Sequence, residues 1–259
     1  MSDPSSGTGR QEDSGLRIAG GWAREIAIVV IGALIASTLL RLFIVQMFVI
    51  PSGSMENTLQ VRDRVAVQKL APFQRGDVIV FRDTEGWLAP AKQEDDPVKK
   101  ALIFVGLSPD ESSNHLIKRV IGLAGDHVTC CDARGRLVVN GTALNETAYL
   151  FTDASTGKQV NPSDVAFDLV VPAGTVFVMG DHRNDSQDSR CHLADDTEGG
   201  PAGSKAFIPT ADVVGTAVAV VYPFNRFQGI SRPRTFENIP AGEAPPPTAP
   251  VLTGPEVVC

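Results

Sequence analysis

The stretch Ile50-Pro51-Ser52-Gly53-Ser54-Met55 separates an apolar N-terminal segment from a long remainder rich in β-branched runs and turn residues. Pro51 fixes one backbone φ angle, and Gly53 permits conformations that other residues resist. Such a turn can bring one hydroxyl and several backbone N–H groups to a single point, which is what a serine nucleophile with an oxyanion site needs. Because the same composition also fits a plain juxtamembrane linker, the choice depends on the rest of the chain.

The segment before this turn has the composition of a membrane span. Ile26 to Leu40 contains no charged residue, and after Arg41 the chain is again apolar as far as Ile50, apart from Gln46. A spanning helix needs about 20 apolar residues, and Ile26–Ile44 provides them if the arginine extends to the interface. We therefore predict one transmembrane helix over residues 25–45. A cleaved signal peptide is the alternative, but no small-x-small site follows the apolar run.

The flanks of this segment predict its orientation. Residues 1–24 are polar and rich in Ser, Gly and acids, so we predict a disordered N-terminus. Arg10, Arg17 and Arg24 precede the apolar run, and the positive-inside rule then places the N-terminus in the cytoplasm. The predicted topology is single-pass, with the remaining chain outside the cytoplasm and the lipid bilayer as one partner.

The remainder is predicted to be mainly β, with an antiparallel sheet. The 24 glycines and 18 prolines favour short strands and many turns. Short β-branched or alternating runs bounded by turn residues predict the strands, and these runs are Val61–Leu70, Val78–Phe81, Leu116–Leu123, His127–Cys131, Arg136–Val139, Val165–Val171, Thr175–Met179 and Val213–Tyr222. We predict a domain over residues 46–232, with a probable insertion at 84–114 and a disordered Pro-rich tail at 233–259.

Charge, motifs and cysteines exclude several functions. The net charge is −7 and no basic run occurs, so a nucleic-acid partner is not expected. No GxGxxG or P-loop is present, and no cofactor is predicted. The cysteines, which are Cys130, Cys131, Cys191 and Cys259, include no CxxC pair. In an oxidising compartment Cys191 can pair with one of the adjacent cysteines, and free thiols remain the alternative.

A dense polar run, Gly180–Arg190, follows directly on an apolar strand, where functional loops usually lie. A solvated loop is the simpler interpretation. A metal site built from its acids and histidines is another, but the spacing matches no EF-hand, and we predict none. A Ser-His-Asp triad is disfavoured as well, because there is no GxSxG turn and no histidine lies in an apolar frame.

Lys118 is the better candidate for a base. It lies within the apolar run Leu116–Leu123, and strand alternation places it on one face with Leu116 and Val120. An unperturbed lysine titrates near ~10.4, so a base at neutral pH needs a fall of roughly 3 units, worth about 4 kcal/mol. Burial can provide this fall. An edge-strand lysine with its amine in water is the alternative.

Four sequence motifs, called boxes below, resemble in sequence and in order those of the bacterial type I signal peptidases, which are serine peptidases of family S26. The boxes are Pro51-Ser52-Gly53-Ser54-Met55, Arg75-Gly76-Asp77-Val78-Ile79-Val80-Phe81, Ile117-Lys118-Arg119-Val120-Ile121-Gly122-Leu123-Ala124-Gly125-Asp126 and Gly180-Asp181-x-Arg183-x-x-Ser186-x-Asp188-Ser189-Arg190. The likeness spans about Phe48 to Phe227. Four ordered boxes are far more specific than any one of them.

The resemblance implies roles for the residues in these boxes. Ser54 is the expected nucleophile and Lys118 its general base. Ser52 contributes its hydroxyl to the oxyanion hole, and Ser186 orients the lysine amine. The expected structural supports are Asp181, Asp188 and Arg190. The residues expected to contact substrate and to line shallow pockets for small side chains are Phe48, Ile50, Pro51, Met55, Leu59, Val80, Leu116 and Ile117.

The implied activity is removal of signal peptides from exported preproteins after an Ala-x-Ala-like site, at the plasma membrane of a bacterium. The departures from the family pattern are modest. Asn57 stands where proline is usual, and His182 and Asn184 replace a common Asn and Asp. Two other functions stay open on the residues alone, namely a self-cleaving repressor-type Ser/Lys protease and a catalytically silent, membrane-tethered interaction domain.

Overall fold

The computed structural model describes residues 12–89, 96–98, 114–195 and 199–254, and the chain divides into two units, Met1–Ile44 and Val45–Cys259. The first unit contains one helix, α1, over Glu12–Phe43. Helix α1 begins well before the predicted boundary at residue 25, so the prediction of disorder does not hold from Glu12 onward.

Helix α1 ends just before the second unit begins. In the described part of the chain, no helix combines the length and the apolar character that a bilayer crossing requires. Residues 1–11, which belong to the segment predicted to be disordered, lie outside the described residues.

The second unit is mainly β, as predicted. Its described strands are β1 Val45–Val49, β2 Arg64–Gln68, β3 Val78–Arg82, β4 His115–Leu123, β5 His127–Cys130, β6 Val138–Val139, β7 Thr142–Ala143, β8 Phe167–Val170, β9 Thr175–Met179, β10 Ile208–Pro209, β11 Val213–Tyr222, β12 Gln228–Gly229 and β13 Val251–Leu252. Short 3-10 helices cover Arg183–Asp185, Ser189–His192, Ser204–Ala206, Thr210–Asp212, Phe224–Arg226 and Arg234–Phe236.

Two antiparallel sheets organise these strands. The larger has eight strands in the order β1-β2-β11-β3-β4-β9-β10, with β12 pairing β11, and the smaller has the order β13-β8-β5-β6-β7. The turn Asn140-Gly141, where both residues have positive φ, joins β6 to β7. Asn-Gly is the typical sequence of such a turn. Strand β4 lies inside the larger sheet between β3 and β9, so the lysine that it carries is surrounded by backbone on both sides.

The segment predicted to be a disordered tail differs from that prediction as far as Gly254. It forms a 3-10 helix at Arg234–Phe236, and β13 adds to the edge of β8. Phe236 and Ile239 are only 5% and 9% exposed and pack into the core of the smaller sheet. The prolines restrict the conformations of the unfolded segment, so its ordering costs less entropy, and these two apolar side chains supply burial that composition alone did not suggest.

Two further regions considered from the sequence are the insertion 84–114 and the cysteines. Most of the predicted insertion 84–114 lies outside the described residues, but Trp87 packs on the domain, where its Nε1 donates to the Lys205 carbonyl at 2.8 Å. Cys130 and Cys131 form a disulfide with each other. The sequence left two alternatives open, a bond from Cys191 to one of this pair or free thiols, and neither describes Cys130 and Cys131. None of the described cysteines is a free thiol.

Candidate active site

The serine turn and strand β4 bring a hydroxyl and an amine together. Lys118 Nζ lies 2.6 Å from Ser54 Oγ, and the two residues are only 2% and 7% exposed. Met55 and Leu59, which are fully buried, anchor the turn in the core. Within the turn, the Glu56 N–H donates to the Gly53 carbonyl at 2.9 Å. The sequence prediction that these two side chains meet, 64 positions apart, agrees with this geometry.

Burial changes the acid–base chemistry of the amine. Desolvation lowers the pKa of Lys118 from 10.5 to about 8, while the nearby charge of Asp188 opposes this fall and that of Arg190 assists it. Burial disfavours the charged form of an amine because an ammonium loses its hydration. A substantial fraction of the Lys118 side chain is therefore neutral near pH 8, and a neutral amine can accept a proton.

Ser52 lies at the exposed mouth of the same turn. Its hydroxyl donates to Ser54 Oγ over 3.4 Å, a long hydrogen bond. A hydroxyl at this position can rotate toward an oxygen that carries developing charge beside Ser54. The structure thus places the Ser52 hydroxyl next to the nucleophile candidate.

Ser186 contacts Asp188 and not the Lys118 amine, which the sequence predicted as its partner. Its hydroxyl donates to Asp188 Oδ2 at 2.8 Å, and the only side-chain partner found for the Lys118 amine among the described residues is Ser54. Asp188 in turn pairs with Arg190 through two hydrogen bonds of 2.8 and 2.9 Å. Burial alone would raise the pKa of Asp188, but the charge and hydrogen bonds of Arg190 lower it. Ser186 therefore orients the Asp188 carboxylate rather than the amine directly.

Arg119 was not assigned a role from sequence, yet it is one of the most buried side chains in the domain, at 1% exposure. It donates to both carboxylate oxygens of Asp181, at 2.6 and 2.8 Å, and to the Gly76 carbonyl at 2.6 Å. Thr58, on the serine turn, donates to the same carboxylate. This network ties the turn, the lysine strand and the loop after β9 together. The sequence signal that could have identified Arg119 is an arginine next to a lysine within an apolar strand.

A second buried ion pair extends the network. Arg183 pairs with Glu146 at 2.5 Å, and the Tyr149 hydroxyl donates to the same carboxylate oxygen at 2.6 Å. The Tyr149 ring lies 4.3 Å from the guanidinium carbon of Arg119, close enough for a cation–π interaction. Burial raises the pKa of Tyr149, and the charge of Glu146 raises it further, so the phenol stays neutral.

Most residues expected to line substrate pockets lie together. They belong to one apolar cluster, whose members from the predicted set are Phe48, Ile50, Met55, Leu59, Val80 and Ile117. Leu116 packs in a different cluster, with Ile79 and Phe81. Neighbouring residues of a strand point to opposite faces, so Leu116 and Ile117 cannot both line one pocket. Pro51 is exposed beside the turn.

The loop after β9 approaches the serine turn without room for a side chain. A Cβ on Gly180 would lie 2.4 Å from the Ser54 carbonyl oxygen and 2.3 Å from Ser186 Oγ. No real Cβ approaches other atoms so closely, so glycine is required there. The glycine of the fourth box thus allows the two halves of the site to come into contact.

Comparison with known families agrees with this site. A family model described as signal peptidase, peptidase S26, matches residues 22–222. The chain belongs to this family and is a serine peptidase, a hydrolase, as the sequence predicted. A catalytically silent interaction domain, one of the alternatives, does not fit this membership.

The relatives cover most of the chain. A signal peptidase I of Mycobacterium tuberculosis is 35% identical over 231 residues, which is 79% of this chain and 74% of the relative. Signal peptidase I S of Bacillus subtilis is 31% identical, over 80% of this chain and 91% of the relative. A crystal structure of a signal peptidase I from Enterococcus faecalis is 25% identical, covers 56% of this chain and 97% of its own, and has a TM-score of 0.31.

Proposed function

We propose that the protein removes signal peptides from exported preproteins, with Ser54 as nucleophile and Lys118 as general base. The 2.6 Å contact between their side chains, in a site from which water is largely excluded, carries this proposal. The neutral amine accepts the proton of Ser54 as Oγ attacks the scissile carbonyl. The resulting ammonium then donates that proton to the leaving amine, which departs and leaves an acyl-enzyme.

The oxyanion of the tetrahedral intermediate is bound by the Ser54 backbone N–H and the Ser52 hydroxyl. The backbone of the turn fixes the Ser54 N–H before substrate arrives, and the exposed Ser52 hydroxyl has only to rotate from Ser54 Oγ to the oxyanion. In the second half-reaction, Lys118 takes a proton from water, the hydroxide attacks the acyl carbon, and Ser54 is released as its proton returns. Asp188 and Arg190 hold the loop that surrounds the amine.

The substrate is an extended segment with small side chains at the −1 and −3 positions. The apolar cluster beside the turn contains Ile50 at 2% and Ile117 at 7% exposure, with Phe48 partly buried. Pockets with such walls are shallow, so alanine fits while a larger side chain requires displacement of packed atoms. Overpacking of this kind costs about 1–3 kcal/mol, which is enough to select Ala-x-Ala over bulkier sequences.

We further propose that α1 anchors the enzyme in the plasma membrane, with its N-terminus cytoplasmic and the β domain outside. The uncharged run Ile26–Leu40 supports this, and its apolar side chains are open to the surroundings, as Ile26 and Val29, at 60% and 70% exposure, show. An anchor makes the encounter with a signal peptide in the same bilayer effectively intramolecular, which raises the local concentration. Recovery of the full chain in the soluble fraction after cell lysis would contradict the anchor.

Cleavage of a model preprotein with an Ala-x-Ala site, by the full chain in detergent, tests the activity. Ser54→Ala and Lys118→Ala are each expected to abolish cleavage. Ser155→Ala and Lys158→Ala, at exposed positions of another loop, are the matched controls and should retain it. Full activity of Lys118→Ala would exclude the dyad. Ser186→Ala is expected to lower kcat more than twofold, because Asp188 Oδ2 loses one of the hydrogen bonds that orient it beside the amine.

A further inference from the structure

His182 contacts the nucleophile turn through its backbone. Its N–H donates to the Ser54 carbonyl oxygen at 3.1 Å, which is the contact that the close approach of Gly180 makes possible. His182 also precedes the 3-10 helix Arg183–Asp185, which leads directly into Ser186. The residue therefore stands at the junction between the turn that carries the nucleophile and the loop that surrounds the base.

The side chain of His182 lies between two carboxylates from these two elements. Nδ1 is 3.4 Å from Glu56 Oε2, on the serine turn, and 3.9 Å from Asp185 Oδ2, on the loop. The imidazole stacks on Phe151 with 3.8 Å between ring centroids, and the side chain is 13% exposed. Both distances exceed a good hydrogen bond, and Nδ1 is a buried atom without a hydrogen-bond partner among the described residues.

The chemistry of these neighbours fixes where the ring carries its proton. An ionised carboxylate can only accept, so Nδ1 must be the N–H donor for either contact to be attractive. With the proton on Nε2 instead, the lone pair of Nδ1 would face two negative charges. Stacking on Phe151 limits rotation of the ring that would remove this conflict.

We propose that His182 is a positioning residue. Its Nδ1–H lies between the carboxylates of Glu56 and Asp185, attracts both electrostatically at 3.4 and 3.9 Å without a short hydrogen bond to either, and by this electrostatic bridge holds Ser54 and Ser186 at a fixed spacing. The bridge needs only a donor at the place of Nδ1. An asparagine amide can put its nitrogen there. A glutamine amide instead reaches toward the place of Nε2, and phenylalanine keeps the stack without any donor.

Three variants of the full chain test the inference, which rests on the proposed function because the first readout is preprotein cleavage. We expect His182→Phe and His182→Gln to lower kcat about two- to fivefold with KM unchanged, a loss typical of one partly exposed polar bridge. His182→Asn should stay within twofold of the wild type. Glu56→Ala should lose as much as His182→Phe, and the double variant should lose no more than either.

The opposite pattern would overturn the proposal. An asparagine variant that loses as much as the phenylalanine variant rules out the bridge, as does full kcat in His182→Phe. A rise in KM at constant kcat would assign His182 to substrate contact instead. Asn184→Ala, at an exposed neighbouring position, is the control and should match the wild type.

A second measurement does not depend on catalysis. Nitrogen-15 NMR of the histidine rings in the full chain reports which nitrogen carries the proton, and the His182→Asn spectrum assigns the signal. A proton on Nδ1 of His182 supports the bridge, and a ring protonated on Nε2 alone excludes it. If the wild type does not cleave preproteins, the proposed function fails, but the NMR result still decides whether the bridge exists.

Discussion

Lys118→Met should make the protein more stable at neutral pH while it removes activity. Methionine has about the same length as lysine and carries no charge, so it fills the buried position without a hydration cost. In the wild type, burial lowers the pKa of Lys118 from 10.5 to about 8. Between these values the unfolded chain holds a proton that the folded protein has lost, so the free energy of unfolding rises with pH across this window.

The size of the effect follows from the shift. Each pKa unit corresponds to about 1.4 kcal/mol, so the stability that the wild type lacks at pH 7 and regains by pH 10.5 is about 3 kcal/mol. The methionine variant has no proton to exchange at this position, so its free energy of unfolding does not show this rise with pH. The free energy of unfolding of Lys118→Met should exceed that of the wild type at pH 7, and this difference should therefore narrow by about 3 kcal/mol from pH 7 to pH 10.5.

Urea unfolding of the full chain in mild detergent, followed by tryptophan fluorescence at several pH values, measures the gap. Lys158→Met, the same substitution at an exposed lysine, is the matched control. A constant gap between Lys118→Met and the wild type over the whole range would show that the amine titrates as it does in water. The account of Lys118 as a base would then be refuted.

Three other predictions concern the Lys118 amine, the buried Arg119–Asp181 ion pair and the C-terminal segment. The rate of preprotein cleavage should fall about tenfold per pH unit below the Lys118 pKa of about 8 and level off above it, and an acid optimum in the pH profile would contradict this. Asp181→Asn should destabilise the fold by about 3–5 kcal/mol in urea unfolding, because it leaves the Arg119 charge buried without its partner. Phe236→Ala should cost about 3–5 kcal/mol, whereas Phe224→Ala, at 82% exposure, should change stability by less than about 0.5 kcal/mol, and equal effects would show that the C-terminal segment is not packed.

The elements that sequence predicted well are those set by local pattern. β-Branched runs closed by glycine, proline or Asn-Gly turns gave β9 and β11 with the bounds observed, Thr175–Met179 and Val213–Tyr222. The pairing of Ser54 with Lys118 came from the ordered boxes rather than from any local rule. Boxes carry information about contacts distant in sequence, which periodicity cannot supply.

The predictions that failed or stayed incomplete depend on long-range partners. Arg119 looked dispensable because its partner Asp181 lies 62 positions away and no local pattern joins them. Leu116 was assigned to a pocket although its neighbour Ile117 already faced the other side of the strand, a conflict that strand alternation alone could have revealed. Composition suggested disorder after residue 232 because it does not count the few apolar side chains that dock.

The last strand of the smaller sheet has a consequence for the order in which the protein matures. β13 pairs with β8, and Leu252 also lies near Gly203, so two earlier parts of the domain gain these contacts only after residues 251–252 have been synthesised. The smaller sheet gains its β13 edge only after Leu252 has been added to the chain. A nascent chain stalled before Val251 would hold an assembled nucleophile turn on a scaffold whose outer edge is still open.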